Sequence, residues 1–159
     1  MAEIFPQDIE NAILTRLKDN TNGIQAQLDI IDTARSQDTP EITDARISTE
    51  RQDENPEVIV DYESSNIDSY FGDTDLSSLR KTGNILVSIF LNTADKTNAK
   101  KYISNYIEAV TKCLHGYSTG NITALFAQED VITDLYEDKI DSTKYGGVRF
   151  EILINGGIE

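Results

Sequence analysis

Gly83-Asn84-Ile85-Leu86-Val87-Ser88-Ile89-Phe90-Leu91-Asn92 is followed, two residues later, by Asp95 and a long stretch with helical spacing. The first segment sets Ile85, Val87, Ile89 and Leu91 on one side of a strand and Leu86 and Phe90 on the other. Apolar groups on both faces predict an interior strand covered on each side. Full burial of such a side chain stabilises by about 1.5–3 kcal/mol. The helical stretch aligns Ala99, Ile103, Tyr106 or Ile107, Val110 and Leu114 along one stripe, with Lys100 and Lys101 on its outer face. Asp95 or Thr97 can cap its start, and Gly116, just after His115, supplies a left-handed stop. Strand and helix together fix a sheet-plus-helix core with none of the usual catalytic side chains beside it. The pattern points to a protein that works by assembling with others.

Upstream, Pro6 suits the first position of a helix, and Ile9, Ile13 and Leu17 follow helical spacing. Asn20-Thr21-Asn22-Gly23 ends or kinks that helix. Ile24, Leu28 and Ile31 fit a further helical face to about Ala34, although Leu28-Asp29-Ile30-Ile31 also permits an extended segment. Residues 36–55 are rich in Asp, Glu, Thr and Ser, which predicts an exposed connection with room for a short helix at Glu41–Arg46. Pro56 cannot donate to a ladder and belongs at the start of a strand. In that strand Val58, Val60 and Tyr62 alternate with Ile59, Asp61 and Glu63. Residues 64–82 then read as a second exposed loop, long enough to be functional, with Tyr70 and Phe71 within it and Arg80-Lys81 at its end.

Downstream, Gly120-Asn121 marks a turn, and residues 131–136 alternate weakly enough to pair with the final segment. Tyr145-Gly146-Gly147 reads as a break before a clear strand. That strand turns Val148, Phe150, Ile152 and Ile154 inward and Arg149 and Glu151 to water. No internal repeat or low-complexity tract is present. With 159 residues the chain fits one domain, 1–159, burying roughly two-thirds of its unfolded surface.

Twenty-eight Asp and Glu against 14 Lys and Arg give a formal charge of -14 and a pI near 4.3. Such a surface is soluble and repels phosphate backbones, so specific nucleic-acid binding is not expected. Cys113 is the single cysteine, which excludes an intrachain disulfide. The first eight residues lack the basic and apolar regions of a signal peptide, and no apolar run approaches a membrane span. The expectation is an intracellular soluble protein.

His115, the single histidine, reads as a capping or surface residue, and Cys113 as a small hydrophobe beside the helix stripe. One His and one Cys exclude a structural zinc site. Asp73-Thr74-Asp75, and Asp134 with Glu137-Asp138, lack the ligand spacing of a calcium loop. Gly146-Gly147 and Gly156-Gly157 lack the lysine and helix start of a phosphate loop. Arg80-Lys81 fits an intersubunit salt contact, a solvated loop or, least well, nucleic acid. No metal, no cofactor and no enzymatic activity are expected.

The order of segments carries one resemblance. An N-terminal helix leads through a polar connection to Pro56-Glu57-Val58-Ile59-Val60-Asp61-Tyr62, then a long loop and the strand over residues 84–92. Next come Lys100-Lys101-Tyr102-Ile103, Tyr106-Ile107-Glu108-Ala109-Val110 and, last, Arg149-Phe150-Glu151-Ile152-Leu153-Ile154. Over about residues 2–154 this resembles the tail terminator and tail-completion proteins of tailed bacteriophages and related phage-tail-like particles. The likeness rests on order and pattern. It implies an α+β fold: a mixed, mainly antiparallel sheet with an N-terminal helix and a long central helix packed against it. It also implies a homo-oligomeric ring, commonly a hexamer, that caps the tail tube, stops its polymerisation and docks the head or neck.

The partners implied are further copies of the chain, the tail tube protein and a neck or connector protein. DNA would pass through the bore without specific binding, helped by acidic walls, and no membrane is involved. The setting implied is the virion, assembled in the host bacterial cytoplasm. The family has no catalytic residues to carry over. By position, the resemblance assigns Tyr70, Phe71, Arg80 and Lys81 to contacts with tube or neighbour. The polar connection at 36–55 departs from its shortest members. Rival readings are a neck or connector completion protein one layer higher, an acidic DNA-mimicking inhibitor and, last, a carboxylate hydrolase.

Overall fold

Pro6 stands at the first position of α1 (Pro6–Leu17), where its fixed φ and missing N–H are no handicap. The computed structural model describes residues 6–42, 45–47, 56–68, 80–119, 122–137 and 142–154. Ile9, Ile13 and Leu17 are all buried, as the spacing requires. The helix stops because the Asp19 carboxylate accepts the backbone N–H groups of Thr21 and Asn22, each at 2.8 Å. That turn leads into α2 (Ile24–Arg35), whose Ile24, Leu28 and Ile31 are buried, so the extended alternative at 28–31 is not adopted. Ser36 ends α2 in the left-handed conformation, φ 53°, with its N–H and that of Gln37 on the Asp32 carbonyl.

The segment after α2 corrects the first expectation. Thr39 is only 3% exposed and Ile42 is partly buried, and of the short helix expected at Glu41–Arg46 the described residues 41–42 and 45–46 are not helical; residues 43–44 and 48–55 lie outside the described residues. Instead Ala45–Ile47 is a short strand, β1, parallel to β2 (Glu57–Asp68). The reason is local hydrogen bonding. Asp32 accepts the Thr39 N–H at 3.0 Å and its hydroxyl at 2.6 Å, and the Gln25 side chain accepts the Ile42 N–H at 2.9 Å. Polar residues that read as solvated are partners for the helices beneath them.

β2 pairs with β3 (Arg80–Thr93) as an antiparallel hairpin, from Glu57 opposite Phe90 to Asp68 opposite Arg80. This corrects the loop expected over 64–82: residues 64–68 and 80–82 are ladder, and 69–79 lie outside the described residues. α3 (Lys96–Leu114) follows, capped by the Asp95 carboxylate on the Asn98 N–H at 3.2 Å. It ends at His115, followed by Gly116 at φ +79°. β4 (Ile122–Glu137) and β5 (Ser142–Ile154) complete one sheet in the order β1-β2-β3-β5-β4. Among the described residues the β1–β2 pair alone is parallel. The fold is α+β as expected, with a mixed, mainly antiparallel sheet. Its N-terminal and central helices pack on one face.

Two glycines predicted as a break lie inside β5. Gly146 is required there by close approach: a Cβ would sit 2.8 Å from Ile103 Cγ2, so its absence lets α3 settle onto the sheet. Val58, Val60, Ile85, Val87, Ile89, Val148, Phe150 and Ile152 meet Ile103, Tyr106 and Val110 in that layer. Asn105 and Tyr106, both buried, bond upward: Asn105 donates to Gln37 and Thr39 at 2.7 and 2.8 Å, and Tyr106 to the Pro40 carbonyl at 2.6 Å. Arg16 joins α1 to α3, donating to the Cys113 carbonyl at 3.1 Å with its guanidinium 4.5 Å above the Tyr117 ring.

Candidate assembly surface

The sheet leaves two unlike edges. β4 stands last in the strand order, so one side of its backbone has no strand neighbour among the described residues. Three register shifts along β4 bend that edge. At the other end β1 covers only Val58–Val60 of β2, and the outer backbone of residues 61–68 has no strand beside it among those described. Open edges are templates for pairing unless something covers or charges them. β4 is charged: it carries Glu129, Asp130, Asp134 and Glu137 and no basic residue.

The four residues assigned to contacts divide cleanly. Tyr70 and Phe71 lie outside the described residues. Arg80 and Lys81 begin β3 at the far end of the hairpin, opposite Asp68 and Ile67, and Lys81 also faces Ile154 of β5. They belong to a ladder and not to a loop, and the structure brings no predicted aromatic to them among its described residues.

The sheet face away from the helices was expected to be covered; among the described residues no helix packs there. Leu86 and Phe90 are half-buried. Phe90 leans on Tyr145 with ring centroids 5.2 Å apart, and the Tyr145 and Ser88 hydroxyls lie 3.2 Å apart. Arg149 grips Glu63 through two nitrogens at 3.0 and 3.1 Å. Desolvation, then the nearby Glu63, push the Asp61 carboxyl above its ordinary range. These cross-strand pairs join β2, β3 and β5 at positions that local sequence spacing does not connect.

Among the described helices α3 alone is basic, since α1 and α2 each hold two carboxylates and one arginine. α3 has four lysines and one glutamate, and Arg35 of α2 projects over it. Arg35 donates to Asn105 at 2.6 Å and to Glu108, and Lys112 meets Glu108 at 3.2 Å. Burial pushes the Glu108 carboxyl up, but Lys112 and Arg35 outweigh it and hold the group below its usual range. Lys100 and Lys101 are exposed, as predicted. With Arg35 and Gln37 they line a shallow depression of about 400 Å³. A second depression, about 320 Å³, lies between Ser104, Glu108, Thr111 and Asp130.

Among the described residues no three His, Cys, Asp or Glu side chains converge to hold a metal ion. Cys113 is buried as expected, its Sγ 3.7 Å from the Arg16 carbonyl, and burial pushes the thiol up to about 11. His115 caps α3, and its Nδ1 accepts the Ala127 N–H at 3.1 Å, tying the helix end to β4. No helix among the described residues is long and apolar enough to cross a membrane.

No protein-family model and no curated protein matches the sequence. Among solved structures, a chain in the virion of a native gene transfer agent particle is similar in fold. Its TM-score is 0.52 at 14% identity, and the match covers 93% of this chain and 95% of that chain. At that identity the likeness is one of fold.

Proposed function

We propose that this chain is a structural virion protein, a tail terminator that forms a ring, caps the tail tube and joins it to the head or neck. The observation that carries the reading is the end-to-end fold likeness to a chain of a gene transfer agent virion, with nearly all of both chains superposed. The order of segments separately resembles the tail terminator and tail-completion proteins.

The physical design agrees. The surface offers shallow depressions, two unlike sheet edges and a mixed polar and apolar sheet face with no helix over it among the described residues. Two unlike edges favour head-to-tail contacts, which close into a ring when the rotation between copies permits. The partners in this reading are further copies of the chain, the tail tube protein and a neck or connector protein. Function in this reading comes from assembly and not from catalysis. A net charge of -14 keeps DNA from adhering as it passes.

The test is a tube-growth assay. Purified tail tube protein is allowed to polymerise with and without this chain, and length is followed by light scattering. The reading predicts growth arrest at substoichiometric amounts of the chain. Unaltered growth and length overturn it.

A further inference from the structure

β1 is the shortest described strand, and it covers Val58–Val60 at the end of the sheet. The chain reaches it over a strap, residues 37–42, that is bonded to both α2 and α3. From α2, the Asp32 carboxylate accepts the Thr39 N–H and hydroxyl, and Gln25 accepts the Ile42 N–H. From α3, Asn105 donates to Gln37 and Thr39, and Tyr106 donates to the Pro40 carbonyl. Arg35 donates to the Asn105 oxygen at 2.6 Å. Thr39 is the hub: its hydroxyl donates to Asp32 at 2.6 Å and accepts from Asn105 at 2.8 Å.

Apolar burial adds little to this hold. Of the six strap residues Thr39 alone is fully buried, and Pro40 and Ile42, the two apolar ones, are half-buried. The difference decides what lifts first. A strap hydrogen bond is exchanged for one with water on opening, so its net contribution is modest, whereas exposed apolar surface finds no such substitute. Segments with few buried apolar contacts open below the free energy of global unfolding. A connected polar network also gives way together, because one broken bond leaves its buried neighbours short of partners. β1 adds three parallel backbone pairs, too short a ladder to stand alone.

We infer that the strap and β1 form an edge cover that lifts as one unit, locked at Thr39, while α3 and the rest of the sheet stay folded. Lifting joins Val58–Val60 to the stretch at 61–68 and bares one continuous β2 edge, Glu57–Asp68, to an incoming strand. Closed, the cover keeps that edge short. The inference concerns a single chain and stands apart from the ring reading.

Native-state hydrogen exchange, followed amide by amide with NMR, tests it with two variants. Ile152→Val trims the buried core of β5, at the other end of the ladder from the residues that face β1. It should speed the most protected α3 and β5 amides several-fold. The Thr39 and Ile42 amides, and those of Val58–Val60 that face β1, should keep their wild-type rates, because the lifted form still buries Ile152. Thr39→Val removes the hub hydroxyl and weakens the closed form alone. It should speed the strap and edge amides together by about tenfold.

Sedimentation velocity reads the consequence. Thr39→Val should self-associate about tenfold more strongly than wild type, and Ile152→Val, the control for lost stability, should match wild type. Strap amides that speed up with α3 in Ile152→Val show that the cover opens only on global unfolding and overturn the inference. Thr39→Val overturns it too if strap exchange is unchanged, if the strap amides speed up without the edge amides, or if self-association stays at the wild-type level.

Discussion

Adding one methyl group at position 146 should loosen the helix from the sheet, whereas the same change at position 147 should do little. An alanine Cβ at 146 lies 2.8 Å from Ile103 Cγ2 and 3.2 Å from two carbons of Ile107. Ordinary carbon contacts lie at about 3.5–4.0 Å, so α3 must lift by roughly 1 Å or Ile103 must leave its rotamer. Overpacking of this kind costs about 1–3 kcal/mol. The stiffer unfolded chain returns about 0.4–1 kcal/mol, leaving a net loss of up to about 2.6 kcal/mol and about 1.3 at mid-range. For a chain of this size that lowers Tm by about 2–4 °C per kcal/mol.

At 147 the nearest atom is the Tyr145 hydroxyl at 2.5 Å, the far end of a flexible side chain on the half-open face. It can swing aside, giving up the Phe90 ring contact and the Ser88 hydroxyl contact. Gly147→Ala should therefore stay within about 1 kcal/mol of wild type. Thermal and urea unfolding followed by circular dichroism measure both. The cause is isolated by placing Gly146→Ala in an Ile103→Ala background, where the closest clash is gone and the two 3.2 Å contacts with Ile107 remain. The penalty should shrink there, giving a coupling of about 1 kcal/mol. Gly146→Ala at or above wild-type stability, or additive behaviour in the cycle, refutes the reasoning.

Two tyrosines offer the same chemical change with opposite expected outcomes. Tyr106→Phe removes the 2.6 Å bond to the Pro40 carbonyl in a fully buried site and should destabilise by about 1–3 kcal/mol. The Tyr62 hydroxyl is buried without a hydrogen-bond partner among the described residues, so Tyr62→Phe should leave Tm unchanged or raise it; a clear loss contradicts that reading. Native Cys113 should resist thiol reagents at pH 8, since burial holds its pKa near 11, and should react only as the chain unfolds in urea. Side-chain and backbone bonds to Asn98 lower the Asp95 pKa, and backbone bonds to Asn22 and Thr21 lower that of Asp19. Their stabilisation is present above the unfolded value of 3.8 and is lost as pH falls through the depressed folded values. The Tm difference between wild type and Asp95→Ala should therefore shrink in acid, and a constant difference contradicts the assignment.

The helices and the central strand were legible because each repeats a signal over many residues. Ile9, Ile13 and Leu17, the stripe of α3, and Ile85 to Leu91 all stand where their periods put them. Pro6, Asp95 and Gly116 mark ends by stereochemistry that needs no tertiary context. What stayed hidden depends on partners distant in sequence. Thr39 and Gln37 are polar and read as solvated, yet Asn105 waits 66 and 68 residues away to bond them. Residues 64–68 and 80–82 look like loop because their side chains are polar, although their backbones pair. Gly146 reads as a breaker by composition and acts as a packing surface because Ile103 lies above it. Of the contact residues, Arg80 and Lys81 were placed by a resemblance in order. The depression beside α3 was half visible, since Lys100 and Lys101 fall off the apolar stripe while Arg35 arrives from another helix.

The most direct test is to image purified tail tubes mixed with the chain by cryo-electron microscopy and to average their ends. A closed ring of this chain on one end of each tube, with the tubes uniform in length, is the predicted result. Bare ends, or the chain scattered along the tube walls, contradict the account.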